Sequence, residues 1–184
     1  MIVLVKIYRT DDRKIHEEEE LTEGVWVQMV NPSEGEGEEY ARKLDVDITD
    51  LLAALDEEES SRIELEDGYT LILVDIPTTE IRMDKEAYTT IPLGIILTKD
   101  AIITVCTEDT PVLQSFVLGR VKEFSTKKRL RFVYQILFRI ATLYQSALRI
   151  IDKKRTEIEE RIDGDTEDID LIDLHALELS LIHI

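Results

Sequence analysis

Cysteine occurs once in this chain of 184 residues, at Cys106. No internal disulfide can form, and the cysteine clusters that hold structural zinc are excluded. Basic residues are scarce, 22 against 40 acidic, which leaves a formal charge of −18. That excludes nucleic-acid binding by general electrostatics, because phosphates need a basic footprint. Surfaces this acidic suit cations or basic partners. Histidine is limited to His16, His175 and His183. The last two lie eight apart on a helical stretch, about 12 Å by rise, too far to share a metal. No glycine-rich phosphate cradle and no Ser-His-Asp or Cys-His pairing is recognisable. No enzyme class is supported. No apolar run approaches the roughly 20 residues of a membrane span. The opening MIVLVKIYRTDD has neither a basic lead nor a small-residue cleavage site, so it does not read as a signal peptide.

What is present is enough apolar material, 43% of the chain, for a real core. The charge is unevenly divided. Residues 1–119 carry 10 basic and 28 acidic side chains, residues 120–161 carry 12 and 5, and residues 162–184 carry none and 7. Blocks of opposite sign imply segments with different neighbours.

Residues 2–8 and 25–30 are short, apolar and β-branched, and read as buried strands. The acidic run His16–Glu20 between them reads as solvated loop or edge strand. Ser33, with Glu36 three residues on, forms a capping box for a helix to about Leu44, weakened by Gly35 and Gly37. A second short helix is expected from about Thr49 to Glu58. Asp67-Gly68 between two apolar runs predicts a hairpin of Arg62–Glu66 and Tyr69–Ile76. Tyr88–Leu97 and Ile102–Thr107 form another strand pair, with Pro77 and Pro92 at edges or bends. A short helix over Val112–Glu123 follows.

From about Lys128 to Ile162 there is neither glycine nor proline. One helix of about 50 Å is predicted, and part of it should extend beyond the body. Its first half is apolar almost all round (Phe132, Val133, Ile136, Leu137, Ile140 and onward), which predicts burial on more than one side. Trp26, Tyr88 and the aromatics of this helix read as core. Lys127, Lys128, Arg129 and Arg131 form a basic cluster at its start. Gly164-Asp165 breaks the helix. A last helix runs from Thr166 to Ile184 and stops without a cap, which predicts that the chain is a fragment.

One short helix carries the candidate chemistry. In Asp50–Glu57, Ile48, Leu51, Leu52 and Leu55 cluster on one side, and Asp50, Ala53, Ala54 and Glu57 on the other. The second face is expected to look outward, with alanines that let another backbone approach. Asp50 and Glu57 are roughly 10 Å apart by rise, so a cation at Asp50 needs a carboxylate from elsewhere.

Six segments in order resemble the CorA family of divalent-cation transporters: WVQMVNPSEGE (Trp26–Glu36), DLLAALDEEESSRIELEDGYTLILVDIP (Asp50–Pro77), TIPLGIILTKDAIITVC (Thr90–Cys106), KKRLRFVYQILFRIATLYQ (Lys127–Gln145), IDKKRTEIEERI (Ile151–Ile162) and LHALELSLIHI (Leu174–Ile184). The resemblance implies an α/β (α+β) fold, a mixed sheet layered between helices as an αβα sandwich and followed by a long stalk helix. It implies a funnel domain over residues 1–126, a long helix over 127–163, and the start of a further helix over 164–184. It implies the cytosolic, ion-sensing part of a magnesium/cobalt transporter. The full-length protein would lie in the cell membrane as a homopentamer, with this piece soluble in the cytoplasm and the spans outside it. Regulatory cations bind between subunits in that family. Asp50 matches the first metal-binding carboxylate and Asp152 is the nearest auxiliary one, while Thr49 stands where some members carry an acid. The expected ion is Mg2+, with Co2+, Ni2+ or Zn2+ as alternatives. The pore's Gly-Met-Asn is absent from this sequence.

Two other readings stay open: the zinc-transporting branch of the same family, and a free-standing scaffold that oligomerises through the long helix. Sequencing of the gene past Ile184 separates them. The transporter readings expect two apolar spans of about 20 residues, with Gly-Met-Asn after the first; a stop codon there would favour the scaffold.

Overall fold

The computed structural model describes residues 4–12, 14–82, 85–162 and 168–184. In chain order the elements are β1 (Leu4–Asp11), β2 (Lys14–Glu18), β3 (Val25–Val30), α1 (Glu34–Leu44), α2 (Ile48–Leu52) with a 3-10 turn at Ala53–Leu55, β4 (Arg62–Leu65), β5 (Tyr69–Arg82), β6 (Lys85–Thr98), β7 (Ala101–Cys106), α3 (Pro111–Val117), α4 (Arg129–Ile162) and α5 (Asp168–His183). The strands form one mixed seven-stranded sheet in the order β2-β1-β3-β7-β6-β5-β4. Strands β3 and β7 run parallel, in a register that sets Val27 beside Ile103 and Val30 beside Cys106.

By their contacts the residues fall into two compact units: those up to Asp75 with Pro92–Arg139, and Ile76–Ile91 with Ile140–Ile184. In the first unit β3 and β7 are buried at every position. Their alternating side chains therefore serve two cores. On one face Val27, Met29, Ile103 and Val105 pack with Leu71, Leu73 and Ile96, under Ala41 of α1 and Leu51 of α2. On the other, Trp26 meets Phe116 of α3, Phe124 in the loop before α4, and Phe132 of α4, with ring centroids 5.1–6.4 Å apart and rings tilted edge to face. The Trp26 indole N–H donates to Thr104 Oγ1 at 2.9 Å, so these two buried polar groups satisfy each other. This is the expected layering of helices on both faces of a mixed sheet.

Local signals behave as chemistry dictates. The Ser33 capping box forms, with Glu36 N–H donating to Ser33 Oγ at 3.4 Å and Ser33 N–H donating to Glu36 Oε2 at 2.8 Å. Gly37 is more than a weak point in α1. A Cβ there would stand 2.9 Å from Leu52 Cδ2, so the glycine lets α2 lie close against α1. Glu17 and Glu18 lie on β2, an edge strand, where Glu17 pairs with Lys6 at 2.9 Å. Pro92 comes just before Leu93, the first β6 residue paired with β7, so its missing N–H leaves no gap in that ladder. The short helix after β7 ends at Val117 rather than Glu123, capped by Thr110 with Pro111 at its first turn.

The start of α4 is anchored by a polar knot. Thr126 N–H donates to Thr10 Oγ1 at 2.9 Å and Thr10 N–H donates to Thr126 Oγ1 at 3.2 Å, both buried. The helix then runs 34 residues. Phe132, Val133, Ile136 and Ile140 are buried. The expected burial on further sides is not met: Leu130, Tyr134 and Phe138 are exposed. Every third or fourth position faces the core.

In the second unit Tyr88, Ala147 and Ile151 form a small core with Leu177 and Ile184 against it. Tyr88 N–H donates to Ser180 Oγ at 3.2 Å, and Arg161 pairs with Asp173 at 3.1 Å. The expected break at Gly164-Asp165 lies outside the described residues. No helix among the described residues is long and apolar enough to cross a membrane.

Phe132 is fully buried amid three other rings. Replacing Phe132 with Ala should cost about 3–5 kcal/mol of unfolding free energy in a urea titration. A loss below about 1 kcal/mol would show that the aromatic cluster is not a tightly packed core.

Candidate cation site

Asp50 lies in the first turn of α2, a helix set by Asp47 at its N-cap, whose Oδ1 accepts from Thr49 N–H at 2.7 Å. Leu51 and Ala54 anchor this segment in the core. The expectation of an outward face of Asp50, Ala53, Ala54 and Glu57 fails at Ala54. After Leu52 the backbone tightens into a 3-10 turn, which shifts the following residues around the axis. Ala54 is buried, and a Cβ on Gly94 of β6 would lie 3.1 Å from its methyl group. The small residues allow α2 to sit on its own sheet.

The same placement gives Asp50 its neighbours. The hairpin register pairs Glu64 with Leu71 and Arg62 with Leu73. Leu71 and Leu73 point into the core beneath α2, so Glu64 stands on α2's side of the sheet. Glu66 follows two residues on, where its N–H donates to the Tyr69 carbonyl at 3.0 Å across the Asp67-Gly68 turn. Gly68 there adopts φ 94°, a conformation that favours glycine. Asp50, Glu64 and Glu66 thereby bring one carboxylate oxygen each to within 4.8 Å of one another.

Two donors hold this corner. The Tyr69 hydroxyl donates to Asp50 Oδ2 at 2.6 Å and accepts from Asp47 N–H at 3.4 Å. The Arg62 guanidinium donates from Nε to Glu64 Oε1 at 2.9 Å. Burial first, and then the hydrogen bond to the Asp50 carboxylate, push the Tyr69 phenol up to about 12. A cleft of about 730 Å³ opens beside the corner, lined by Arg42, Asp45, Asp47, Glu66, Asp67 and Tyr69 among others. Its donors are hard oxygens, the set suited to Mg2+ or Ca2+ rather than to metals that prefer nitrogen and sulfur.

Asp152, the other predicted site residue, lies at an exposed position in α4 and accepts from Arg155 Nη2 at 3.0 Å. Among the described residues the grouping around Asp50 consists of Glu64 and Glu66. Sequence reasoning missed both, together with Tyr69. The hairpin signal at Asp67-Gly68 held the information, since alternate residues from 62 to 66 share one face.

The family model for CorA-like Mg2+ transporter proteins matches residues 22–184. The chain belongs to the CorA family. That family is one of transporters, not of enzymes. CorA relatives bear this out in sequence and in fold. The cobalt/magnesium transport protein CorA of Methanocaldococcus jannaschii is 24% identical over 147 residues, which cover 75% of this chain and 43% of that protein. The chain thus matches less than half the length of this curated relative. The soluble domain of CorA from M. jannaschii superposes with a TM-score of 0.82 at 20% identity, covering all of this chain and 74% of that one. The complete CorA magnesium transporter from the same organism gives 0.80 at 18%, covering all of this chain and 59% of that one. The ZntB cytoplasmic domain from Vibrio parahaemolyticus gives 0.71 at 11%, covering all of this chain and 75% of that one. These likenesses show that the fold of this CorA chain is that of the CorA soluble domain.

The hydroxyl geometry has a spectroscopic signature. The ultraviolet tyrosinate titration of the wild type minus that of Tyr69→Phe should show a midpoint at about 12. A raised phenol pKa favours the folded state fully below the ordinary tyrosine value of about 10, and that contribution is lost as pH rises through the folded value. The wild type should therefore lose stability relative to Tyr69→Phe between about pH 10 and 12. A difference titrating near 10 would mean that Tyr69 does not hold Asp50.

Proposed function

We propose that this chain is the cytosolic regulatory domain of a CorA-like magnesium or cobalt transporter. Divalent cation binding at Asp50 favours the closed arrangement of a homopentamer. The observation that carries this reading is the gathering of Asp50, Glu64 and Glu66 with ligand atoms within 4.8 Å, in a domain with the CorA fold.

The physics follows from the charges. Three carboxylates this close repel one another, and two donors offset only part of that. Tyr69 occupies Oδ2 of Asp50 and leaves Oδ1 for a ligand. Mg2+ is small and keeps several of its waters, so it needs only one or two carboxylates. A site of that kind is weak, which fits a sensor of an abundant ion. The fold places the Asp50 corner beside an open cleft rather than in a closed cage, so a neighbouring subunit can add a ligand there. The bound ion shifts the gate only by its preference for the closed state over the open one. When the ion leaves, like charges face each other and the contact loosens. Asp152 is the auxiliary carboxylate of this reading, exposed and steadied by Arg155. The oxygen-only donor set suits Mg2+ as the sensed ion.

In the full-length protein, Mg2+ should slow protease cleavage of the wild type, and Asp50→Asn should lose most of that protection. Unchanged protection would remove Asp50 from the site. Calorimetric titration of this chain with Mg2+ should show Glu64→Gln and Glu66→Gln each weakening binding by about tenfold, or about 1.4 kcal/mol. Equal affinity in both variants would leave Asp50 to act without them.

A further inference from the structure

The Thr10–Thr126 knot that anchors α4 also gathers positive charge. Arg9 precedes Thr10 on β1 and Lys127 follows Thr126, so the two buried hydrogen bonds carry both cations to one place. The turn between β6 and β7 joins them. Gly24 N–H donates to the Asp100 carbonyl at 2.6 Å, which ties Lys99-Asp100 to the start of β3. Gly24 has φ 80°, and a Cβ there would stand 3.0 Å from Lys127 Cγ, so the lysine stem lies across a position that favours glycine. Arg129 opens α4 and donates from Nη1 to the Thr98 carbonyl. The outcome is a cavity of about 390 Å³ lined by Arg9, Lys99, Lys127 and Arg129, and also by Glu23 and Asp100.

Its positive groups are only partly answered. Asp11 accepts from Lys127 Nζ at 2.8 Å and lies 3.5 Å from Arg9 Nε. Arg9 donates from Nη1 to Thr22 Oγ1 at 3.3 Å, while its enclosed Nε makes no hydrogen bond. Lys99 has no hydrogen bond or ion pair with any described residue. With Asp11 included, four cations stand against three carboxylates. The positive end of the 34-residue helix α4 adds to them at Arg129. This runs against a chain of formal charge −18, whose cleft beside Asp50 is lined by five acidic residues and one arginine. Cations gathered in a recess repel one another, and a bound anion relieves that repulsion.

We propose that this cavity binds the phosphoryl group of a small anion, either free or carried on a larger metabolite. Two guanidinium forks match phosphate oxygens in pairs, and two ammonium groups add point charge. The multiple charge of a phosphoryl group overcomes the repulsion of Glu23 and Asp100, which a single negative charge does not. Among the described residues none that lines the cavity is aromatic, so a nucleobase finds no ring to stack on and the phosphoryl group alone is recognised. The site uses none of the residues of the cation reading and stands whether or not Asp50 binds metal.

Calorimetric titration of this chain with sodium diphosphate tests it, at low salt and after a chelating resin has removed metal. The wild type should bind one diphosphate per chain. Lys99→Ala should weaken binding about fivefold or more, and Lys99→Glu should abolish it. Asp100→Asn should tighten it about threefold, because a repelling carboxylate goes while the backbone bond to Gly24 stays. Arg120→Gln plus Lys122→Gln removes two charges from the neighbouring basic stretch but none from the cavity, and should leave binding unchanged. Circular dichroism checks folding; if Lys99→Glu unfolds, the opposite shifts of Lys99→Ala and Asp100→Asn decide the matter. No binding by the wild type, equal affinity in Lys99→Ala, or an equal loss in the Arg120 and Lys122 variant would overturn the proposal. A nucleoside diphosphate separates the two sources. Affinity equal to that of diphosphate would show that a carried group is accepted, and a loss of about tenfold would restrict the site to the free anion. A gain of about tenfold would overturn recognition of the phosphoryl group alone.

Discussion

Burial of β3 and β7 on both faces is the constraint from which the rest of the domain follows. A strand covered on one side needs one apolar face; these two need helices above and below. The parallel pairing of β3 with β7 sets Trp26 beside Ile102 and Val27 beside Ile103. One set of side chains builds the aromatic cluster under α3 and α4, and the alternate set builds the aliphatic core under α1 and α2. The position of Asp50 depends on that second core. Leu51 and Ala54 are held down over Leu71, Leu73 and Gly94, and the carboxylate one residue before Leu51 comes to rest above the β4–β5 hairpin.

Electrostatics gives the domain its character. A net charge of −18 is tolerable when spread over a solvated surface, yet here three carboxylates are drawn into one corner by the packing of α2 on the hairpin. The repulsion in that corner is offset in part by a neutral and a cationic donor, Tyr69 and Arg62. Asp50 is set by α2 and Glu64 by β4, while Glu66 stands in the turn that joins β4 to β5.

The long helix shows the opposite imbalance. Its apolar residues are not all buried: Phe132, Val133, Ile136 and Ile140 face the core, while Leu130, Tyr134 and Phe138 are largely exposed. The chain's densest basic stretch, residues 120–131, leads into it.

Most of the architecture was legible in local signals. The Ser33–Glu36 box, the Asp67-Gly68 turn and the uninterrupted run after Lys128 each formed where their chemistry placed them, because each depends on neighbours within a few residues. The family resemblance was legible too, as an order of segments. Ala54 was not, since its burial depends on a glycine forty residues away and on a helix that tightens into a 3-10 turn. Exposure of Tyr134 and Phe138 was also beyond the sequence, which records how apolar a helix is but not how many neighbours it has. The sequence by itself determined the elements, the acidic balance and Asp50 as a candidate. Only the tertiary structure decided that Glu64, Glu66 and Tyr69 would stand beside Asp50, because hairpin register and helix docking are long-range events that bring together side chains with no local claim on one another.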